Sequence, residues 1–233
     1  MSMTATTLRR RFVTAPGYAG ERRRLQRWEW LAATFPDIGS MDVLDLGGTA
    51  FSWMRGPVRP ASVHIVNLEE QDVNLPPWIR AAVGDACDLP AAAKGHYDLV
   101  YSNSVIEHVG GHRQRQRFAD TVHAMAPSHW VQAPYRYFLV EPHWLCPGFQ
   151  FLPLAVRGFL ARRWPLRPAT PESQEAAVRD ALDVELPSRS EMRLYFPGSQ
   201  ILAERAFGLP KSLIAVHGGS PVLSSGRNIG TST

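Results

Sequence analysis

Two stretches of the chain carry side chains able to handle protons. In "YFLVEPHWLCPGFQFLP", Glu141 and His143 stand two residues apart among Tyr135, Tyr137, Phe138, Trp144, Phe149 and Phe151. Histidine titrates near neutrality, so His143 can take a proton from an acceptor while Glu141 orients the ring or binds a hydroxyl. The plainer reading of a lone histidine in an aromatic loop is structural. In "NSVIEHV", Glu107 and His108 form a second pair, suited to a structural or proton-handling role. A third stretch, "VLDLGGTAFSW", ends an apolar run on Asp45 and then breaks on Gly47 and Gly48. Glycines let a backbone approach a ligand closely and adopt angles denied to other residues. Here too a plain strand-to-helix turn is the alternative.

These residues need elements that bring them to one edge. Arg22 to Phe35 carries Leu25, Trp28, Leu31 and Ala32 at near-helical spacing, which predicts an amphipathic helix ahead of the first strand. Four short aliphatic runs follow, "DVLDL", "SVHIVNL", "RAAVGDA" and "YDLVYSN", recurring about every 18–22 residues. That pitch leaves room for crossovers and so predicts βαβ units in a parallel sheet. "FADTVHAMAP" reads as a helix stopped by Pro127, and "HWVQAPYRYF" as a fifth strand running into a loop. From Leu139 to about Pro187, prolines and aromatics give way to a polar, alanine-rich helical part, "PESQEAAVRDALDVEL", which reads as an inserted cap. The chain returns with "ILAERAFG" and "SLIAVHG", two strands joined by "LPK", and 218–233 reads as a flexible tail.

At 233 residues the chain suits one α/β domain. The net charge of +4 and pI of about 9.4 come from short clusters such as "LRRRF" and "ERRRLQR", not from one long stripe, so no nucleic-acid partner is expected. Two distant cysteines, Cys87 and Cys146, support neither a disulfide framework nor a zinc–cysteine cluster, and fit a reduced, cytoplasmic setting. The basic amino terminus lacks the apolar core of a secretory signal. The apolar stretch "FLVEPHWLCPGFQFLPLAVRGFLARRW" is broken by charges and three prolines, which argues against a spanning helix and stable membrane insertion.

Ligands of open parallel sheets bind beyond the carboxyl ends of the strands, where Asp45, Gly47 and Gly48 would lie. A dinucleotide wants G-x-G-x-x-G there, but Phe51 and Trp53 stand where small residues are needed, and Asp45 would repel phosphate. S-adenosylmethionine carries an ammonium and a sulfonium, which a carboxylate suits. "VLDLGGTAFSW", "HIVNLE", "VGDACDLP" and "YDLVYSNSVIEHV", in this order, resemble the successive motifs of class I S-adenosylmethionine-dependent methyltransferases, over about residues 20 to 217. The resemblance implies a Rossmann-like doubly wound, mostly parallel seven-stranded sheet with a helical and loop cap inserted after the fifth strand, in one domain over 1–217. It implies that Asp45, Gly47 and Gly48 line the methionine part of the cofactor. Asn67, Leu68 and Glu69 match the ribose position, with Asn67 where the family usually has an acid. Asp85 and Ala86 match the adenine edge, and Ser102 and Asn103 the floor beneath the methyl. Asp85 as a simple cap, and Asn67 and Glu69 as solvated turn residues, are the plainer readings.

Methyl transfer to an alcohol needs an in-line approach and a base for the hydroxyl proton, which gives His143, Glu141 and His108 catalytic roles. "NSVIEHV" is also similar to the E-x-x-E-H element of O-methyltransferases that hold magnesium, with Ser104 in place of the first acid. Glu107 and His108 are thus candidate metal ligands. The cap segment resembles bacterial methyltransferases of glycan and cell-envelope synthesis, and the whole chain is similar to actinobacterial sugar O-methyltransferases, such as those of methylmannose polysaccharide assembly. The resemblance implies a saccharide acceptor. A lipid or isoprenoid acceptor and a non-catalytic binding module are the alternatives.

Overall fold

Side chains alternate along Asp42–Leu46, so that Val43 and Asp45 face one side of strand β1 while Leu44 and Leu46 face the other, and all four are buried. The computed structural model describes residues 19–71, 73–90 and 96–220. The basic cluster near the amino terminus and residues 221–233 of the expected tail lie outside these.

Strand β1 sits in a seven-stranded sheet with β2 (Ser62–Asn67), β3 (Ile79–Val83), β4 (Leu99–Asn103), β5 (Ser128–Pro134), β8 (Gln200–Ala206) and β9 (Leu209–His217). The order is β3-β2-β1-β4-β5-β9-β8. The first five strands run parallel, while β9 runs antiparallel to both β5 and β8. The Rossmann-like arrangement expected from the sequence is present, with one reversed strand inserted next to the edge.

Helices cover both faces. On the Val43 and Asp45 side, α1 (Ala19–Thr34) and α2 (Ala50–Arg55) bury Trp28, Leu31, Ala50 and Trp53 against Ile65, Leu99, Tyr101 and Ile214. On the other side, α3 (His112–Met125) buries Phe118, Val122 and Met125 against Leu44, Leu46, Val100 and Val131. Leu25, expected on the buried stripe of α1, is exposed instead; the stripe runs through Trp28, Leu31 and Phe35.

Crossovers depart from the expected βαβ regularity. Within the first five strands, only β1–β2 and β4–β5 are joined through helices among the described residues. After β2 the segment holds Pro76 and Pro77, which remove helix donors and restrict the preceding residue. The last hairpin also differs: "LPK" lies within β9, and the turn is Phe207–Gly208, both at positive φ (53° and 78°). Two such residues form the turn whose twist matches antiparallel strands. Residues 218–220 return to α1, the Ser220 N–H donating to the Thr34 carbonyl.

Between β5 and β8 the cap contains the short hairpin β6 (Val140–Glu141) with β7 (Cys146–Pro147), then α4 (Leu154–Arg163) and α5 (Gln174–Leu182). Helix α6 (Arg189–Tyr195) leads back to the sheet. Trp144, Cys146, Phe149, Ala161, Ala177 and Ala181 give the cap its own small core. Arg115 of α3 pairs with Glu185 at 2.9 Å and Glu191 at 3.4 Å, and Arg136 Nε donates to the Leu186 carbonyl, so charge-assisted bonds fasten the cap to the sheet.

Candidate active site

The chain leaves β1 through Gly47, whose φ of 76° suits glycine and whose N–H donates to the Val66 carbonyl. A Cβ on Gly48 would stand 1.7 Å from Asp45 Oδ2, so the turn folds directly over that carboxyl. Asp45 is 1% exposed, and its Oδ2 accepts a 2.6 Å bond from the Trp53 indole N–H. Burial pushes the Asp45 pKa up to about 7 although the indole bond pulls it down. In the sequence Trp53 speaks only against a dinucleotide turn. The available signal for its bond was an indole on the helix directly following an acid that ends a strand.

Asn67 at the end of β2 donates through Nδ2 to the Gly47 and Gly48 carbonyls at 3.2 and 2.9 Å, so its amide holds the glycine turn. Glu69 and Leu68 beside it are exposed. Asp85 accepts from the Cys87 N–H at 2.8 Å, with Ala86 buried next to it. This is a local turn; Asp85 caps no helix among the described residues. Ser102 is fully buried and donates to the Leu46 carbonyl, tying β4 to β1, while Asn103 is half-buried at the strand end.

Beyond β4 the backbone turns sharply at Ser104, whose φ is 59°. Gln132 of β5 holds this residue, its carbonyl accepting the Ser104 N–H and its side chain meeting the Ser104 hydroxyl at 3.1 Å. A tight turn follows, closed by the His108 N–H on the Val105 carbonyl. Val105 packs close to Gly47, so the glycine turn and the Glu107–His108 pair are neighbours.

The two proton-handling stretches, read separately in the sequence, meet here. Glu141 is 2% exposed; Oε2 accepts the Trp144 N–H at 2.6 Å and Oε1 lies 2.7 Å from His143 Nδ1. This fixes the ring so that His143 Nε2 comes 3.1 Å from His108 Nε2, with one nitrogen donating to the other. His143 Nε2 is also 4.0 Å from Glu107 Oε1. Glu107 is 1% exposed, its oxygens make no well-formed hydrogen bond, and burial pushes its pKa up to about 7 against the weaker pull of His143 and Ser104. His108 keeps an exposed edge, yet crowding by the protein and by His143 lowers its pKa. The Glu107 carbonyl accepts the Glu185 N–H at 2.8 Å, so the far end of the cap grips the same turn. Glu107, His108 and His143 each present one ligand atom, all within 4.8 Å of one another.

No protein-family model and no curated protein matches the chain. Among solved structures it is similar to an S-adenosylmethionine-dependent methyltransferase from Mesorhizobium loti, with 16% identity over 82% of this chain and 96% of that one and a TM-score of 0.50. It is likewise similar to the N-terminal domain of EvdMO1 solved with S-adenosylhomocysteine and D-fucose, with 14% identity over 92% and 97% and a TM-score of 0.50. The chain has the Rossmann-like methyltransferase fold. A protein described as a Zn-dependent alcohol dehydrogenase from Rhodobacter sphaeroides aligns at 11% identity over 82% and 87%, with a TM-score of 0.55. Likeness at this level of identity concerns the fold, and the chemistry rests on the residues.

With this fold the carboxyl edge offers a glycine turn over a buried acid, and the turn after β4 and the cap hairpin each bring one imidazole and one carboxylate beside it. Such an arrangement can hold a cation, accept a proton, or bind a divalent ion. Cys87 and Cys146 are both unpaired and buried. Among the described residues no helix is long and apolar enough to cross a membrane.

Proposed function

We propose that the protein transfers the methyl group of S-adenosylmethionine to a hydroxyl of a saccharide or related small acceptor, acting in the cytoplasm. The observation that carries this is the pairing of Glu141 with His143 against His108, one short turn away from Gly47. A proton-accepting group then stands beside the cofactor turn of a methyltransferase fold. The N-terminal domain of EvdMO1, solved in the presence of S-adenosylhomocysteine and D-fucose, has a similar fold.

Asp45, Gly47 and Gly48 receive the methionine part of the cofactor. Asn67 keeps the glycine turn in shape, which leaves exposed Glu69 to accept the ribose hydroxyls, with Leu68 beside it. Asp85 and Ala86 border the adenine, and Ser102 and Asn103 underlie the methyl. In the reaction the acceptor oxygen bonds to the methyl carbon as the carbon–sulfur bond breaks, the sulfur keeps the electron pair, and the hydroxyl proton passes to His143. Glu141 holds the imidazole for that task, and His108 shares its second nitrogen. Tyr137 stacks on Phe151 at 6.1 Å and meets Tyr135 edge-on at 5.5 Å, a group of apolar ring faces of the kind that suits a sugar.

Incubation with methyl-labelled S-adenosylmethionine and a panel of mono- and oligosaccharides tests the reading. Labelled methyl ethers and S-adenosylhomocysteine are expected, and His143→Ala should lower turnover by about 10² to 10⁴ while leaving S-adenosylhomocysteine binding unchanged. Full turnover in the variant would remove His143 from its role. Exposed Phe151, Leu154, Val156 and Phe159 favour a lipid acceptor as second reading; co-sedimentation with liposomes separates the two.

A further inference from the structure

Glu107 raises a question that proton transfer leaves unanswered. Its carboxyl is buried, neither oxygen makes a well-formed hydrogen bond, and it faces two imidazole nitrogens. A buried carboxylate is costly unless a cation or a set of donors compensates it. We propose that Glu107, His108 and His143 bind one zinc-class divalent ion, and that this ion fastens the cap to the edge of β4.

The distances fit. Two imidazole nitrogens held by one zinc ion at about 2.0–2.1 Å lie roughly 3.0–3.5 Å apart, and His108 Nε2 and His143 Nε2 are 3.1 Å apart. Glu107 Oε1 lies 4.0 Å from His143 Nε2 and the three ligand atoms span up to 4.8 Å, so the carboxyl, held by no well-formed hydrogen bond, swings inward to close on the same point. His143 Nδ1 already faces Glu141 at 2.7 Å, the carboxylate–imidazole pairing that orients a metal-bound histidine and strengthens its donor nitrogen. When the ion enters, the hydrogen between the two Nε2 atoms gives up that place, moving to Nδ1 of a neutral ring or passing to solvent from an imidazolium.

Magnesium, the ion suggested by the resemblance of "NSVIEHV" to E-x-x-E-H elements, fits this set poorly. It takes oxygen ligands, whereas two of the three donors are imidazoles, and Ser104 in place of the first acid is engaged with Gln132. Imidazole donors suit zinc, copper, iron and nickel. Glu107 and His108 belong to the turn after β4, and His143 to the cap hairpin. The ion therefore joins two parts of the chain that sequence separates by more than thirty residues.

Three protein ligands leave a position open. Binding of the ion stands independently of the methyl-transfer reading, but its consequence rests on that reading. Ion and acceptor proton compete for Nε2 of His143, so with the ion bound the acceptor hydroxyl would be held at the open position and would give its proton to solvent rather than to imidazole.

Tag-free protein, stripped with a chelator, is titrated with ZnCl2, CoCl2 and MgCl2 by calorimetry, by visible absorption for cobalt, and by melting temperature. One equivalent of zinc is expected, with cobalt bands in the visible and a higher melting temperature for zinc but not magnesium. Glu141→Gln, which touches no ion, should weaken zinc binding by about 10- to 100-fold. Glu107→Gln and His143→Ala, checked for folding by circular dichroism, should abolish it. No saturable zinc binding, equal binding of magnesium, or binding unchanged in Glu107→Gln and His143→Ala would overturn the proposal. S-adenosylhomocysteine titrated into the same stripped sample reports on the methyl-transfer reading by itself.

Discussion

At Gly48 a single added methyl group would stand 1.7 Å from Asp45 Oδ2. Gly48→Ala must therefore turn the Asp45 carboxyl away from the Trp53 indole. The expected outcome is a loss of stability of about 1–3 kcal/mol from the broken buried bond, together with loss of detectable S-adenosylhomocysteine binding. Thermal melts and calorimetry read the two effects, and an unchanged affinity would separate the turn from the cofactor. Ser102→Ala makes a contrasting case. Its hydroxyl is committed to the Leu46 carbonyl, so about 1 kcal/mol of stability should go, read by thermal melting. Residue types at these positions were readable from the sequence, because glycine and a strand-end acid carry strong local meaning. Their partners were not, since the bond from Trp53 to Asp45 depends on α2 packing over the same face as Asp45. Glu107, His108, Glu141 and His143 were each picked out, but their convergence depends on how the cap folds back.

Among the elements, the parallel core was legible because aliphatic runs at a regular pitch leave few alternatives. The strands "DVLDL" and "YDLVYSN" appear as Asp42–Leu46 and Leu99–Asn103. Helices α4 and α6 had no clear sequence signal. Apolar and basic residues are spread around α4, and α6 is only seven residues long. What starts α6 is a capping box, with the Ser188 hydroxyl accepting the Glu191 N–H and the Glu191 carboxylate accepting the Ser188 N–H. Ser188→Ala should cost about 0.5–2 kcal/mol, measured by denaturant unfolding. Because Glu191 also pairs with Arg115 and Arg136, the same variant should make the cap more open to limited proteolysis. Equal protease resistance would show that the ion pairs hold the cap without the helix start. The final turn was misplaced by two residues because "LPK" carries the proline, whereas the fold needs two successive positive φ values, which Phe207–Gly208 supply.

For the molecule as a whole, buried titratable groups set the response to acid. His129 on β5 is buried beside His123 and His217, and burial, aided by both neighbours, pushes its pKa down to about 3. An unfolded histidine titrates near 6.5. Between these values the unfolded chain binds a proton that the folded chain refuses, so the stability from neutral His129 is complete above about pH 6.5. It is lost as pH falls, at up to about 1.4 kcal/mol per pH unit, until about pH 3. The buried carboxyls Asp45 and Glu107, both pushed up to about 7, work in the opposite direction. Comparison of wild type with His129→Gln isolates the histidine: the stability difference between them should shift against the wild type as pH drops below 6.5. A difference independent of pH would contradict the assignment.

The carboxyl edge binding a sulfonium donor beside the His108–His143 pair is the claim on which the functional reading turns, and a crystal structure with S-adenosylhomocysteine tests it most directly. The sulfur is predicted to lie over Gly47 and Gly48, with the ribose at Glu69, the adenine beside Asp85 and Ala86, and the open side of the sulfur facing His143. A ligand bound away from the glycine turn, or with its sulfur turned from the His108–His143 pair, would contradict the account.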